Sequence, residues 1–294
     1  MPKPKSAKSK SSRNGDGQME LSDRPARKRA AATDSAAVAE SSRQLRPHWW
    51  NRVVGISLAP FVWIFSAALF YILRHALTKA DPVAGPFWKS HDFLVFSIGA
   101  ILWLACFCIS LKIWREPLGQ RAYVLGHELM HALMALASLG KIKGFHISRD
   151  GGYVVTNKYN FLIALGPYLL PFYSVPVLIA WGVSSWWPEA SPHRDWFLGA
   201  LGYTWMFHLT FTLWIMPRGQ TDFHGPGHIF SFLLIYTANT FFLSATLIML
   251  APNVTWHDYG DALWESAMGF YDKTAHAAVW LVHWFGGIVR ALAG

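Results

Sequence analysis

About six apolar runs, each near ~20 residues long, divide residues 53–250, and that leaves few folds open to the chain. A run of that length matches a helix crossing the hydrocarbon of a bilayer. There every backbone N–H and C=O must be bonded within the protein, so a helix is the element that fits. The runs lie at 53–74, 92–113, 120–140, 160–182, 196–216 and 228–250. Trp49, Trp50, Trp88, Trp114, Trp186, Trp187 and Trp196 gather near their ends, as an interfacial aromatic belt does. Trp63, Trp103 and Trp205 fall inside the runs and are expected to fill the core. The expected fold class is therefore an all-α polytopic membrane protein of about six transmembrane helices.

Charge is scarce and unevenly placed. Only 15% of the 294 residues are charged, too few for an ordinary soluble domain of this size. Residues 1–47 hold eleven of the 26 Lys and Arg against five acids, with almost no aliphatic side chains. Residues 1–50 are expected to form a disordered basic tail, drawn to the anionic headgroups of the lipid bilayer rather than to nucleic acid. By the positive-inside rule the N-terminus is expected to be cytoplasmic. Three of the six spans precede the basic loop at 141–158 and place it on the opposite side, so the two signals disagree. Residues 51–252 form the expected membrane domain. Residues 253–294 mix Trp256, Trp264, Trp280 and Trp284 with Asp258, Asp261 and Glu265, which suits a C-terminal amphipathic or interfacial segment. Cys106 and Cys108, two apart on a helix, face different ways and are expected to stay unpaired.

The third run carries His127-Glu128-Leu129-Met130-His131, a His-Glu-x-x-His box. On a helix, residues four apart share a face, so His127 and His131 can reach one metal ion. Glu128 points elsewhere and can act on water rather than on the metal. An ionised acid at the bilayer centre costs roughly 2.5–3.5 kcal/mol on insertion scales, so an acid here is by default functional. A catalytic zinc site needs a third protein ligand and an open fourth position. Asp222, in GQTDFHGPGHIF just before the sixth run, is the candidate, with His224 and His228 as rivals. His208, alone on an apolar run, reads as a core histidine, and His146 stays outside the expected site.

Between the third and fourth runs, Ile142, Phe145 and Ile147 and then Tyr153 and Val155 flank Asp150-Gly151-Gly152, the pattern of a small β hairpin. The order GHELMHALMALASLGKIKGFHIS, hairpin, LIALGPYLLPFYS, then TDFHGPG before a helix resembles the site-2 protease family of intramembrane zinc metalloproteases. His127, Glu128 and His131 match that family's box, Gly166 and Pro167 its Gly-Pro pair, and Asp222 its ligand aspartate. The match covers roughly residues 120–250. The surroundings of Asp222, Gln220-Thr221-Asp222-Phe223-His224-Gly225, depart from the family's Asn/Pro-rich segment and Leu-Asp-Gly.

The resemblance implies a zinc (Zn2+) endopeptidase of the HExxH type acting on a membrane protein substrate, with Glu128 as the proton-transferring residue. Two other classes remain open. One is a di-iron membrane oxidase or desaturase using the two HxxxH pairs. The other is a catalytically silent membrane scaffold of the same fold.

Overall fold

The computed structural model describes residues 53–78, 85–148, 151–184, 186 and 193–293. The basic tail, with the orientation signal it carries, lies outside the described residues, as do Trp49, Trp50 and Trp187 and the hairpin-turn residues Arg149 and Asp150. The chain is mostly helical. In order it forms α1 (Ala59–Thr78), α2 (His91–Trp114), α3 (Gln120–Ala137), β1 (Ile142–Ser148), β2 (Gly151–Thr156), α4 (Phe161–Leu169), α5 (Ser174–Ser184), α6 (Arg194–Ile215), α7 (His228–Leu250) and α8 (Trp256–Ala293). The strands pair antiparallel from Ile142↔Thr156 to Ser148↔Gly151, so the expected hairpin is present.

Among the described residues, three helical stretches are long and apolar enough to cross a membrane: Val53–Thr78, His91–Trp114 and His228–Leu250. Helices α4 and α5 meet the same standard only together, bent by 71° at their junction. The other two expected spans fall short because of what they carry. Helix α3 contains Gln120, Arg121, His127, Glu128 and His131, and α6 contains Arg194, Asp195 and His208. Those polar and charged side chains lower the mean hydropathy of both helices. On α2, Leu94, Ile98, Ile101, Leu102, Ile109 and Ile113 all point outward and exposed, an apolar outer face suited to lipid.

Helices α2 and α6 run parallel and form the closest pair. His91 bonds Asp195 at 2.8 Å and Arg194 pairs with Asp92, which ties their first turns together. Further along, Gly99 faces the backbone of Gly199, and Gly202 faces the backbone of Phe96. Small residues at such crossings let backbones approach where apolar burial alone gives no net attraction in lipid. A Cβ at Gly202 would fall inside the Phe96 carbonyl. Gly202→Val is therefore expected to cost about 1–3 kcal/mol by overpacking. The readout is a lower thermal midpoint in detergent, and an unchanged midpoint would mean the helices are not in contact there. Beyond the glycines Trp103 is almost wholly buried, its ring against Tyr203, Phe207 and Phe211 and its Nε1–H donating to Thr210 at 2.8 Å.

Helix α1 packs on α7, with a hydroxyl contact of 2.9 Å between Ser66 and Tyr236. Helix α8 opens on a capping box: the Thr255 hydroxyl accepts from Asp258 N–H, and the Asp258 carboxylate accepts from Thr255 N–H at 2.8 Å. It then runs back along α1, burying Tyr259 and Ala262 in a cluster with Ala68, Ile72 and Ala76. Trp63 is not core filling, contrary to expectation. It is 48% exposed, and the Lys273 ammonium from α8 lies 5.0 Å from its ring centre. Trp103 and Trp205 are buried, as expected. Both cysteines are free.

Candidate metal centre

The box lies in the middle of α3, where one helical turn brings the His127 and His131 rings edge to face at 4.6 Å. Their Nε2 atoms are 3.0 Å apart. Asp222 reaches them from a short 3-10 turn, Thr221–Phe223, between α6 and α7. Gly219 turns the chain there with a φ of 69°, and the buried Phe223 side chain anchors the turn against Tyr168. Asp222 Oδ2 sits 3.4 Å from His127 Nε2 and 3.7 Å from His131 Nε2. Among the described residues, this is the one group of three or more His, Cys, Asp or Glu with ligand spacing.

The set fits a zinc ion. Tetrahedral ligands at zinc–nitrogen and zinc–oxygen distances stand about 3.3 Å from one another. The spacings of 3.0, 3.4 and 3.7 Å bracket that value. Hydrogen bonding argues the same way. His131 Nδ1 lies 2.6 Å from the Ile163 carbonyl, which can only accept, so Nδ1 carries a proton and the neutral ring presents a bare electron pair at Nε2. That pair faces a second imidazole nitrogen and a carboxylate oxygen. A cation between them would be held by all three.

The Gly-Pro pair explains how the Ile163 carbonyl becomes free. In an unbroken helix the N–H of residue 167 would bond the carbonyl of residue 163, and Pro167 has no N–H. Gly166 supplies the closeness, since a Cβ there would lie 2.6 Å from Met134 Cγ on α3. Asn160 caps the start of α4 by accepting from Ile163 N–H at 2.8 Å. The short α4 is thus held against α3 with one backbone acceptor aimed at His131.

Two tyrosines complete the shell. The Tyr168 hydroxyl donates to Asp222 Oδ2 at 2.8 Å, and its ring meets His127 at 5.3 Å. Asn239 on α7 donates to the Tyr168 carbonyl at 3.0 Å, holding that backbone in place. The Tyr123 hydroxyl lies 3.1 Å from His127 Nδ1, and its ring stacks on Phe211 of α6 at 4.5 Å. Outer partners of this kind fix the tautomer and orientation of ligands. Neither tyrosine was among the expected site residues. Tyr123 offers a faint signal, being four residues before His127 on the same helix; Tyr168 offers none.

Glu128 is buried beneath the hairpin, within electrostatic range of His131 and Asp222. Strand β2 passes over it at Gly152, where a Cβ would fall inside Glu128 Cγ and 2.9 Å from its Cδ. Only glycine lets the strand lie so close. The rivals for third ligand are placed elsewhere: His224 and His228 are exposed, with rings 5.7 Å from each other, and neither belongs to the cluster. His146 sits on β1, paired across the hairpin with Tyr153. His208 is buried on α6. No family model, curated protein or solved structure matches this chain.

Proposed function

We propose that the chain is an intramembrane zinc metalloprotease, similar to the site-2 protease family, that hydrolyses peptide bonds of membrane-embedded protein substrates. The observation that carries this reading is the meeting of His127, His131 and Asp222 at tetrahedral spacing, with the bare Nε2 of His131 aimed into the cluster. In this reading α1, α2, α3, α6 and α7 make five passes rather than six, and the bent pair α4–α5 enters and leaves on one side, which is what lets α2 and α6 run parallel. The basic tail meets anionic headgroups at one surface.

When bound, zinc supplies a Lewis acid that polarises a carbonyl oxygen and acidifies water. The chain supplies the rest. His127, His131 and Asp222 hold the ion, while Tyr168 and Tyr123 keep two of those ligands oriented. Glu128 takes the proton from the attacking water and hands it to the leaving amine. A substrate helix has its carbonyls bonded internally, so a segment of it must unwind before one can enter.

Elemental mass spectrometry of detergent-purified protein tests the reading. About one zinc per chain is expected. It should be lost in His127→Ala and Asp222→Ala and kept in Glu128→Gln. Zinc surviving Asp222→Ala would remove the aspartate from the ligand set. Iron at about two per chain would replace the protease with an oxidase, and no metal at all would favour a silent scaffold.

A further inference from the structure

Two polar groups behind His127 have hydrogen-bonding capacity left over. Resting on the zinc reading, His127 must face the cluster with a bare Nε2, so its proton sits on Nδ1 and the Tyr123 hydroxyl accepts it at 3.1 Å. The Tyr123 O–H is then a donor with no second hydrogen bond among the described residues. His208 of α6 is 9% exposed; its side chain bonds Asn239 of α7, while its Nε2 has no hydrogen-bond partner among the described residues. Buried polar groups are almost always satisfied, by protein or by ordered water.

Both side chains line one cavity of about 20 Å³, shared with His127 and walled by the rings of Phe172, Tyr173 and Phe207. That volume holds about one water molecule, which needs at least two polar partners to stay. The walls are otherwise apolar, so these two groups are the ones that can supply them.

We propose that this cavity binds a single structural water that accepts from the Tyr123 hydroxyl and donates to the His208 imidazole. The chain of bonds runs from the metal ligand on α3 to α6: His127 Nδ1–H to Tyr123, Tyr123 to water, water to His208. Its consequence is directional. With the water as acceptor, the Tyr123 hydroxyl turns its proton away from His127 and keeps its oxygen pair on Nδ1. The ligand tautomer is thereby fixed from outside the cluster. His208 is a positioning residue in this scheme, acting through the water and Tyr123.

Radiolytic hydroxyl footprinting of the full chain in detergent reads the water directly, because buried rings are labelled only where water lies against them. Phe207, the buried ring among the three, is expected to be labelled in the wild type and several-fold less in His208→Leu. If the leucine variant aggregates, Tyr123→Phe removes the other partner and must give the same loss. Absent labelling in the wild type, or labelling unchanged by either variant, overturns the proposal.

Zinc affinity by chelator competition reads the consequence. His208→Leu is expected to weaken binding about tenfold. His208→Gln should restore most of it, and the double variant with Tyr123→Phe should be no weaker than Tyr123→Phe alone. Affinity unchanged by His208→Leu overturns the role of the water in holding His127. A wild type that takes up no zinc sinks the protease reading, while the footprint still decides the water.

Discussion

Glu128→Gln is expected to slow cleavage of a membrane-embedded substrate by about a hundred- to ten-thousand-fold, the range that a positioned proton-transfer group contributes. Glutamine keeps the shape of the side chain and its place under β2, but it cannot take a proton from water. The change leaves the zinc in place, since Glu128 is not one of the clustered ligands. Folding should not suffer either, because the variant removes an ionisable group from a position only 6% exposed. Single-turnover cleavage of a fluorogenic transmembrane substrate in vesicles, run beside zinc content, makes the measurement. Cleavage within threefold of wild type would end the case for Glu128 as the base. Loss of zinc together with activity would instead make Glu128 part of the metal's own shell.

The environment of Glu128 shows what sequence patterns reach and where they stop. That His127 and His131 share a helix face follows from a spacing of four, and the hairpin follows from alternation around glycines. The close passage of Gly152 over Glu128 joins two segments, and no local pattern contains it. Asp222 was reachable only through its setting before an apolar run and through a family resemblance. Its partner Tyr168 was not reachable, because a tyrosine in an apolar helix reads as core until the facing residue is known. Pro167 was visible as half of a motif, yet its effect lies in a hydrogen bond it fails to make, four residues back at Ile163. The helices fared unevenly for a related reason. The amphipathy of α8 marked which side would be apolar but not that α1 would cover part of it, nor that Lys273 would reach Trp63.

Tyr168→Phe should weaken zinc binding by about 10- to 100-fold without unfolding the site. A hydrogen bond to a charged group contributes about 1.5–3 kcal/mol. At about 1.4 kcal/mol per factor of ten, that is the same span of affinity. The variant isolates one hydroxyl. A phenylalanine ring keeps the packing against His127 and Phe223, and Asn239 still holds the backbone through the residue's carbonyl. What goes is the donor that pins Asp222 Oδ2, the oxygen nearest both histidines. Freed of it, the carboxylate can swing from the cluster in the short turn between α6 and α7, and each binding event must order it again. Chelator competition on the purified protein gives the affinity, and a thermal midpoint near that of the wild type separates a loosened ligand from a damaged fold. Affinity within twofold of wild type would mean that Asp222 is held without Tyr168 or does not bind the metal. Asp222→Ala divides those two cases, since zinc is lost in the first and retained in the second.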